Sequence, residues 1–316
     1  MFYFTLFEFR FIVYTIPVTK RQTKFPTMPP FSALPPLDPK AEFSGADFDP
    51  KSVRKIAEPM LKAGRAYFRF EVLGLEHIPE GPSLVVGNHS GGKLPVDMLL
   101  FGAQWQAHFN YKRPLYTLAH DILFKPSRRL GQLLRRLGMV EANPTNASRL
   151  LKQGHSVAVM PGGEYETYRP FSDRNVVDFD GRKGWLKTAL RNEVPICPVV
   201  CIGGHEIFFT LSRGEKLARM LRLDKLLRVR SFPITLGFPW GLYIGPIPAP
   251  VPLPARITAQ ILPPVWLQRD ESDHRAYTQR DADCPEALDE MYQMVTGRMQ
   301  SALAHMANHR RYPVIG

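Results

Sequence analysis

Short apolar runs alternate along most of the chain with longer segments whose apolar residues recur at helical spacing. FRFEVLGL (68–75), PSLVVGN (82–88), PLYTLAH (114–120), SVAVMP (156–161) and VPICPVVCI (194–202) are apolar runs bounded by glycine, proline or polar residues, as buried strands are. Between them, VDMLLFGAQW (96–105), ILFKPSRRLGQLLRRLG (122–138) and GRKGWLKTALRN (181–192) predict helices. Asn143-Pro144 caps a further short helix that Gly154 ends. Asp49-Pro50 opens one that runs into the sixties and kinks near Pro59. Strand and helix thus alternate at the period of βαβ units. The fold class that follows is α/β, a layered domain with a largely parallel central sheet flanked by helices, with N-terminal and C-terminal helical additions.

The punctuation of this pattern sets the expected domains. Residues 26–50 hold seven prolines and little periodicity, so 1–49 read as an irregular segment ahead of the core. The core domain spans 50–265. Pro246, Pro248, Pro250, Pro252 and Pro254 alternate with other residues, which forbids a central strand and predicts an extended connector. Residues 266–316 form a helical extension, and positions 288, 291, 295, 298, 302 and 306 share one side of a helix expected over about 285–309, which packs on the core.

Composition agrees with a globular chain, since 316 residues at 44% hydrophobic content bury a sizeable core. A formal net charge of +12 adds an anionic partner, either nucleic acid, a phospholipid surface or a phosphorylated substrate. SRGEKLARMLRLDKLLRVR (212–230) sharpens that choice. On a helical wheel Leu217, Met220, Leu221, Leu223 and Leu227 share a side while Arg219, Arg222 and Lys225 face away, a pattern suited to an anionic bilayer or to an ordinary solvated helix. It lacks the interleaved aromatics that stack on single strands, so nucleic acid is not expected. The first residues, MFYFTLFEFRFIVYTIP, carry Glu8 and Arg10 within the run and fit neither a signal peptide nor a spanning helix. They read either as a membrane-surface anchor or as an extension ahead of Met28 that adds nothing to the fold. No other run approaches the length of a membrane span, which excludes a polytopic membrane protein. Cys197, Cys201 and Cys284 are sparse, odd in number and without finger spacing, which suggests a reducing compartment and no zinc.

Candidate chemistry lies where apolar runs stop. VVGNHSGGKLPVD (85–97) ends a strand at Asn88 and His89, passes Gly91 and Gly92, which permit a sharp turn or close ligand approach, and reaches Asp97 at the start of a helix. An aspartate on one imidazole nitrogen would raise the basicity of the other. Equally, His89 is a satisfied turn residue and Asp97 a helix cap. Ser90 invites a hydrolase reading, although a nucleophile elbow wants glycine where Asn88 stands. MPGGEYETYRPF (160–171) repeats the strand-to-glycine pattern. Amides near Gly162 and Gly163 would bind an anionic oxygen, Arg169 and Arg174 a phosphate, and Glu164 or Glu166 would hold an arginine. His205 is a second polar group at a strand end and reads as structural.

Taken in order, NHSGGKLPVD (88–97), PGGEYE (161–166) and VPICPV (194–199) resemble three motif blocks of the glycerolipid acyltransferases, the lysophosphatidate acyltransferase superfamily, and most of all its branch of mono- and diacylglycerol acyltransferase-like proteins. The resemblance implies an enzyme on the cytoplasmic side of a membrane, peripheral or monotopic, that moves a fatty acyl group from acyl-CoA or acyl-ACP to a glycerolipid hydroxyl. Its partners are membrane lipid and acyl thioester substrates and an anionic bilayer surface. Beyond the thioester co-substrate no cofactor and no metal is implied. His89 takes the role of general base and Asp97 that of its orienter, with Asn88, Gly91, Gly92, Gly162, Gly163, Glu164 and Arg169 expected around the substrate. This chain departs from the family pattern in three ways. Seven residues separate His89 and Asp97 where four are usual, Gly162 stands at the usual glutamate, and LGMVEANP (137–144) lacks the expected arginine. The last two favour a neutral acceptor such as a mono- or diacylglycerol. A serine hydrolase or thioesterase using Ser90 and a non-catalytic basic protein on anionic membranes are the alternatives.

Overall fold

The computed structural model describes residues 47–90, 95–222, 231–239, 241–245, 250–267 and 277–312. The aromatic N-terminal run, Gly91, Gly92, residues 223–230 of the basic helix and 246–249 of the proline connector lie outside the described residues.

Among the described residues, ten strands form two sheets. The larger contains β1 (Glu71–Leu73), β2 (Leu84–Gly87), β3 (Leu115–Ala119), β4 (Met139–Glu141), β5 (Ser156–Val159), β6 (Ile196–Ile202) and β10 (Thr258–Ile261), in the order β1-β10-β6-β2-β5-β3-β4. From β6 to β4 all five strands run parallel, whereas β10 pairs antiparallel with β6 and parallel with β1. The smaller sheet is antiparallel and contains β7 (Phe209–Ser212), β8 (Ile234–Gly237) and β9 (Gly241–Ile244). Neither β10 nor the small sheet is expected from the sequence. Their four-residue strands lack a long apolar run, and β10 begins just past the prolines that signal a connector.

Both faces of the large sheet are covered. Leu84 and Val86 of β2 and Ile196, Val200 and Ile202 of β6 join one buried cluster, whereas Val85, Cys197, Val199 and Cys201 join the other. Alternate residues therefore meet opposite layers, which is why these strands read as continuous apolar runs. Cys197 and Cys201 are buried free thiols, and burial pushes Cys197 up to about 12.

One layer contains α1 (Pro50–Tyr67) and α2 (Val96–His108). Asp49 caps α1 by accepting from the Lys51 amide at 3.0 Å and the Ser52 hydroxyl at 2.6 Å, and the helix continues through Pro59. A Cβ on Gly64 would collide with Leu100, so glycine sets the close approach of α1 to α2. The other layer holds α4 (Pro144–Lys152), capped by Asn143 as expected, and α6 (Gly184–Asn192). It also holds the long C-terminal helix, α8 (Pro285–Asn308). Its buried stripe runs Leu288, Met291, Val295, Met299 and Leu303. Ala302 and Met306 pack against the same cluster as expected, and the stripe departs from the expectation at 298, an exposed arginine. The helix α3 occupies only Arg128–Arg136, starting from the Ser127 cap, because Pro126 disfavours helical geometry at Lys125 and leaves a separate 3₁₀ turn at Asp121–Leu123. Two further helices are short, α5 (Gly163–Thr167) and α7 (Glu215–Met220).

Candidate active site

The three sequence blocks converge because β2 lies between β5 and β6 in the large sheet. Parallel strands aim their C-terminal ends the same way, so the segments leaving β5, β2 and β6 share one edge, where open α/β sheets carry their ligand crevices. Asn88, His89 and Ser90 follow β2, the Gly162–Glu166 turn follows β5, and Gly203–Glu206 follows β6.

Asn88 joins two of these strands. Its side-chain amide donates to the Cys201 carbonyl at 2.9 Å, and its side-chain oxygen accepts from the Cys201 N–H at 2.7 Å. The side chain thus extends the β2–β6 ladder past Gly87. Expected beside substrate, Asn88 is instead buried between strands.

Asp97 sits fully buried in the first turn of α2. One carboxylate oxygen, Oδ2, accepts from the Ser90 N–H at 3.1 Å and the Ser90 hydroxyl at 2.7 Å. Its other oxygen, Oδ1, and the Nδ1 of His89 are both buried and have no hydrogen-bond partner among the described residues. The direct bond expected between aspartate and imidazole is not formed, and the aspartate reaches the histidine through its charge. Burial lowers the His89 pKa below its ordinary 6.5, and the Asp97 charge opposes that shift. The imidazole is consequently neutral at pH 7, the state a general base requires.

Glu166 ties the β5 turn to the β2 turn. Its buried carboxyl accepts from the His89 N–H at 3.0 Å and the Asp178 N–H at 3.3 Å, with an Arg169 nitrogen at 3.8 Å. Burial raises its pKa to about 8, against the pull of these donors and of Arg169. Gly162 must be glycine beneath it, because a Cβ there would strike the Glu166 carboxyl. Gly163 takes a positive φ of 50° and donates its N–H to Met160 at 3.1 Å, so that amide is engaged within the turn. Arg182, which no sequence pattern marks, donates to the Pro161 and Gly162 carbonyls at 3.1 and 3.0 Å. Glu164 lies half-buried in the first turn of α5. Arg169 is 3% exposed and donates to the Asp178 carbonyl at 3.2 Å. It faces the protein interior beside Glu166, so the phosphate contact expected of it is corrected to a structural one.

His205 is the site neighbour that the sequence underrates. Its ring shares a hydrogen bond with the His89 backbone, and burial, the Arg169 charge and His89 push its pKa down to about 3. Next to it, buried Glu206 forms an ion pair with Arg310 and has Arg174 at 4.0 Å. Burial raises its pKa to about 7 against both arginines. A Cβ on Gly204 would overlap the Ser90 carbonyl, so the β6 and β2 turns are in close contact. The small sheet attaches at the same edge. The Arg213 guanidinium lies 3.8 Å from the Tyr165 ring centroid and donates to the Tyr165 carbonyl at 3.0 Å, while the Phe171 and Phe209 rings meet at 4.7 Å.

Residues 69–202, which include the turns after β2 and β5 and all of β6, match the acyltransferase family model. An uncharacterized protein of Mycobacterium tuberculosis is 34% identical over 84% of this chain and 69% of its own length. Similar too is a protein of Bos taurus named DGAT1/2-independent enzyme synthesizing storage lipids, 31% identical over 74% of this chain and 63% of its own. Its Homo sapiens counterpart is 30% identical over 74% and 65%. Among solved structures, the 1-acyl-sn-glycerophosphate acyltransferase of Thermotoga maritima aligns with a TM-score of 0.44 and 20% identity, over 80% of this chain and 82% of that one. With the His89 and Gly162 turns at one sheet edge beside β6, this family model and these sequence relatives, the chain belongs to the acyltransferase family.

Proposed function

We propose that this acyltransferase moves a fatty acyl group from an acyl-CoA or acyl-ACP thioester to the hydroxyl of a neutral glycerolipid, a mono- or diacylglycerol, with His89 as general base and Asp97 as its electrostatic partner. The observation that carries the dyad is a pair of buried atoms, His89 Nδ1 and Asp97 Oδ1, that find no partner among the described residues. Buried polar groups are nearly always bonded, so two orphans on interacting residues suit a pair that closes when the ring becomes charged. In the reaction, neutral His89 takes the acceptor's hydroxyl proton as its oxygen attacks the thioester carbonyl. The tetrahedral intermediate then expels the thiolate, which recovers the proton from the imidazolium that Asp97 stabilises. Glu166 and Asn88 hold the His89 backbone in place, and no metal or cofactor takes part.

A neutral acceptor is favoured by the inward orientation of Arg169 and by relatives named for storage-lipid synthesis. The net charge of +12 supports work at an anionic surface, which in this reading is the cytoplasmic side of a membrane bound by a peripheral or monotopic protein. None of the described helices is long and apolar enough to cross a membrane. The hydrolase reading is weaker, because the Ser90 hydroxyl is buried and donates to Asp97 rather than to a histidine.

The test offers labelled acyl-CoA with lysophosphatidate, monoacylglycerol or diacylglycerol to the full chain. Acylation of a neutral lipid is expected, and His89→Ala is expected to lose about 10²–10⁴-fold in rate. Full activity in His89→Ala would overturn the proposal.

A further inference from the structure

The small sheet has its polarity reversed. Thr210, Thr235 and Tyr243 are paired across its three strands and turn inward, at 3%, 0% and 5% exposure. Outward on the adjacent strand positions stand Leu236, Leu242 and Ile244, at 46%, 55% and 52%. An antiparallel sheet with one wet face ordinarily puts apolar residues in and polar residues out. The apolar face extends through Leu211 at a bulge in β7, and through Phe238 and Val251, which are bridged by a 2.9 Å backbone hydrogen bond. These three are 55%, 67% and 50% exposed. α7 starts three residues after Ser212 and carries exposed Lys216 and Arg219, followed by exposed Arg222.

We propose that this outer face docks the enzyme on an anionic phospholipid bilayer, with the leucines and isoleucine entering the headgroup and acyl boundary and the α7 cations meeting lipid phosphates. The proposal deepens the reading of the acceptor as a membrane lipid and rests on it. Charge complementarity selects the occupant, because an apolar face beside cations suits an anionic lipid surface. Position gives the docking its use. Arg213 and Phe209 fasten the sheet to Tyr165 and Phe171, in the segment that follows β5 and holds the His89 backbone. A bilayer on this face lies beside the edge of the large sheet from which an acceptor lipid would reach His89.

The test is flotation of the full chain with phosphatidylcholine vesicles, with and without phosphatidylglycerol. Wild-type protein should partition onto the anionic vesicles preferentially. The combined variant Leu236→Gln, Leu242→Gln and Ile244→Gln should melt like wild type and partition roughly tenfold or more weakly. Equal partitioning of the variant would overturn docking through this face, unless another segment also binds. A bimane on Leu242→Cys in a Cys284→Ser background covers that case. Its emission should shift to the blue on anionic vesicles while a bimane on Lys62→Cys does not, and an unshifted label at 242 overturns the proposal. Wild-type dimerisation that the variant abolishes, without vesicle binding, assigns the face to a second copy and also overturns it. Docking lost in the variant, with no acyl transfer to any acceptor, upholds the face and defeats the acyltransferase reading. Acyl transfer to detergent-dispersed acceptor with no vesicle binding does the reverse.

Discussion

The two sheets of this molecule solve opposite problems. In the large sheet both faces are covered, so adjacent residues such as Leu84 and Val85 are equally buried at 1% and 2% exposure, each against its own layer of helices. In the small sheet the buried row is Thr210, Thr235 and Tyr243, and the apolar residues face outward. The large sheet is therefore a source of stability that also fixes the active-site edge. The small one contributes little core and presents a surface. A strand's apolar content says that it meets something apolar, and only its neighbours say whether that is the protein's own core.

Truncation should separate the sheets most sharply. Leu84→Ala removes a side chain packed within the large sheet's core and is expected to cost about 2–5 kcal/mol in urea unfolding. Leu242→Ala, on the outer face, should stay within about 0.5 kcal/mol. A comparable loss at Leu242 would show that something covers the small sheet in the free protein.

Asn88→Ala probes the edge where the large sheet becomes the active site. It removes both bonds to Cys201 and leaves that backbone pair unsatisfied, so about 1–3 kcal/mol of stability should go. Acyl transfer should fall as His89 loses its anchor. Unchanged stability with lost activity would instead return Asn88 to a direct role with substrate.

Acidity probes the same edge of the large sheet. The Glu166 carboxyl, at 4.5 in the unfolded chain and about 8 when folded, holds a proton that unfolding releases. Its contribution is complete below pH 4.5 and disappears as pH rises through about 8. Glu206, raised to about 7, acts in the same direction. His205, lowered from 6.5 to about 3, acts in the opposite sense and favours the fold above pH 6.5. Thermal melts of Glu166→Gln between pH 4.5 and 8 should show a shallower decline than wild type. An unaltered slope would mean that Glu166 is ionised beside Arg169 throughout.

Catalysis supplies the last and narrowest comparison. Because burial keeps the His89 pKa below 6.5, the acid limb of the rate profile should fall below pH 6.5. Asp97→Asn removes the charge that opposes this shift and should move the limb further toward acid. A limb above pH 6.5 would assign the titration to another group.

Much of this was legible along the chain because it rests on local chemistry. The apolar runs that became β2, β5 and β6, the caps at Asp49 and Asn143, and the polar ends carrying His89 and Gly162 all follow from backbone preferences and side-chain period within a few residues. Order and spacing of the three blocks sufficed to indicate the family. Tertiary structure alone decided what those residues touch. Glu166 reaches the His89 amide across 77 positions and Asn88 reaches Cys201 across 113, contacts created by placing β2 between β5 and β6. The same holds for Arg169, a cation by sequence and a buried structural partner in the fold, and for the outward leucines of the small sheet. Periodicity records which side of an element is apolar, whereas strand order and layer packing determine what that side faces.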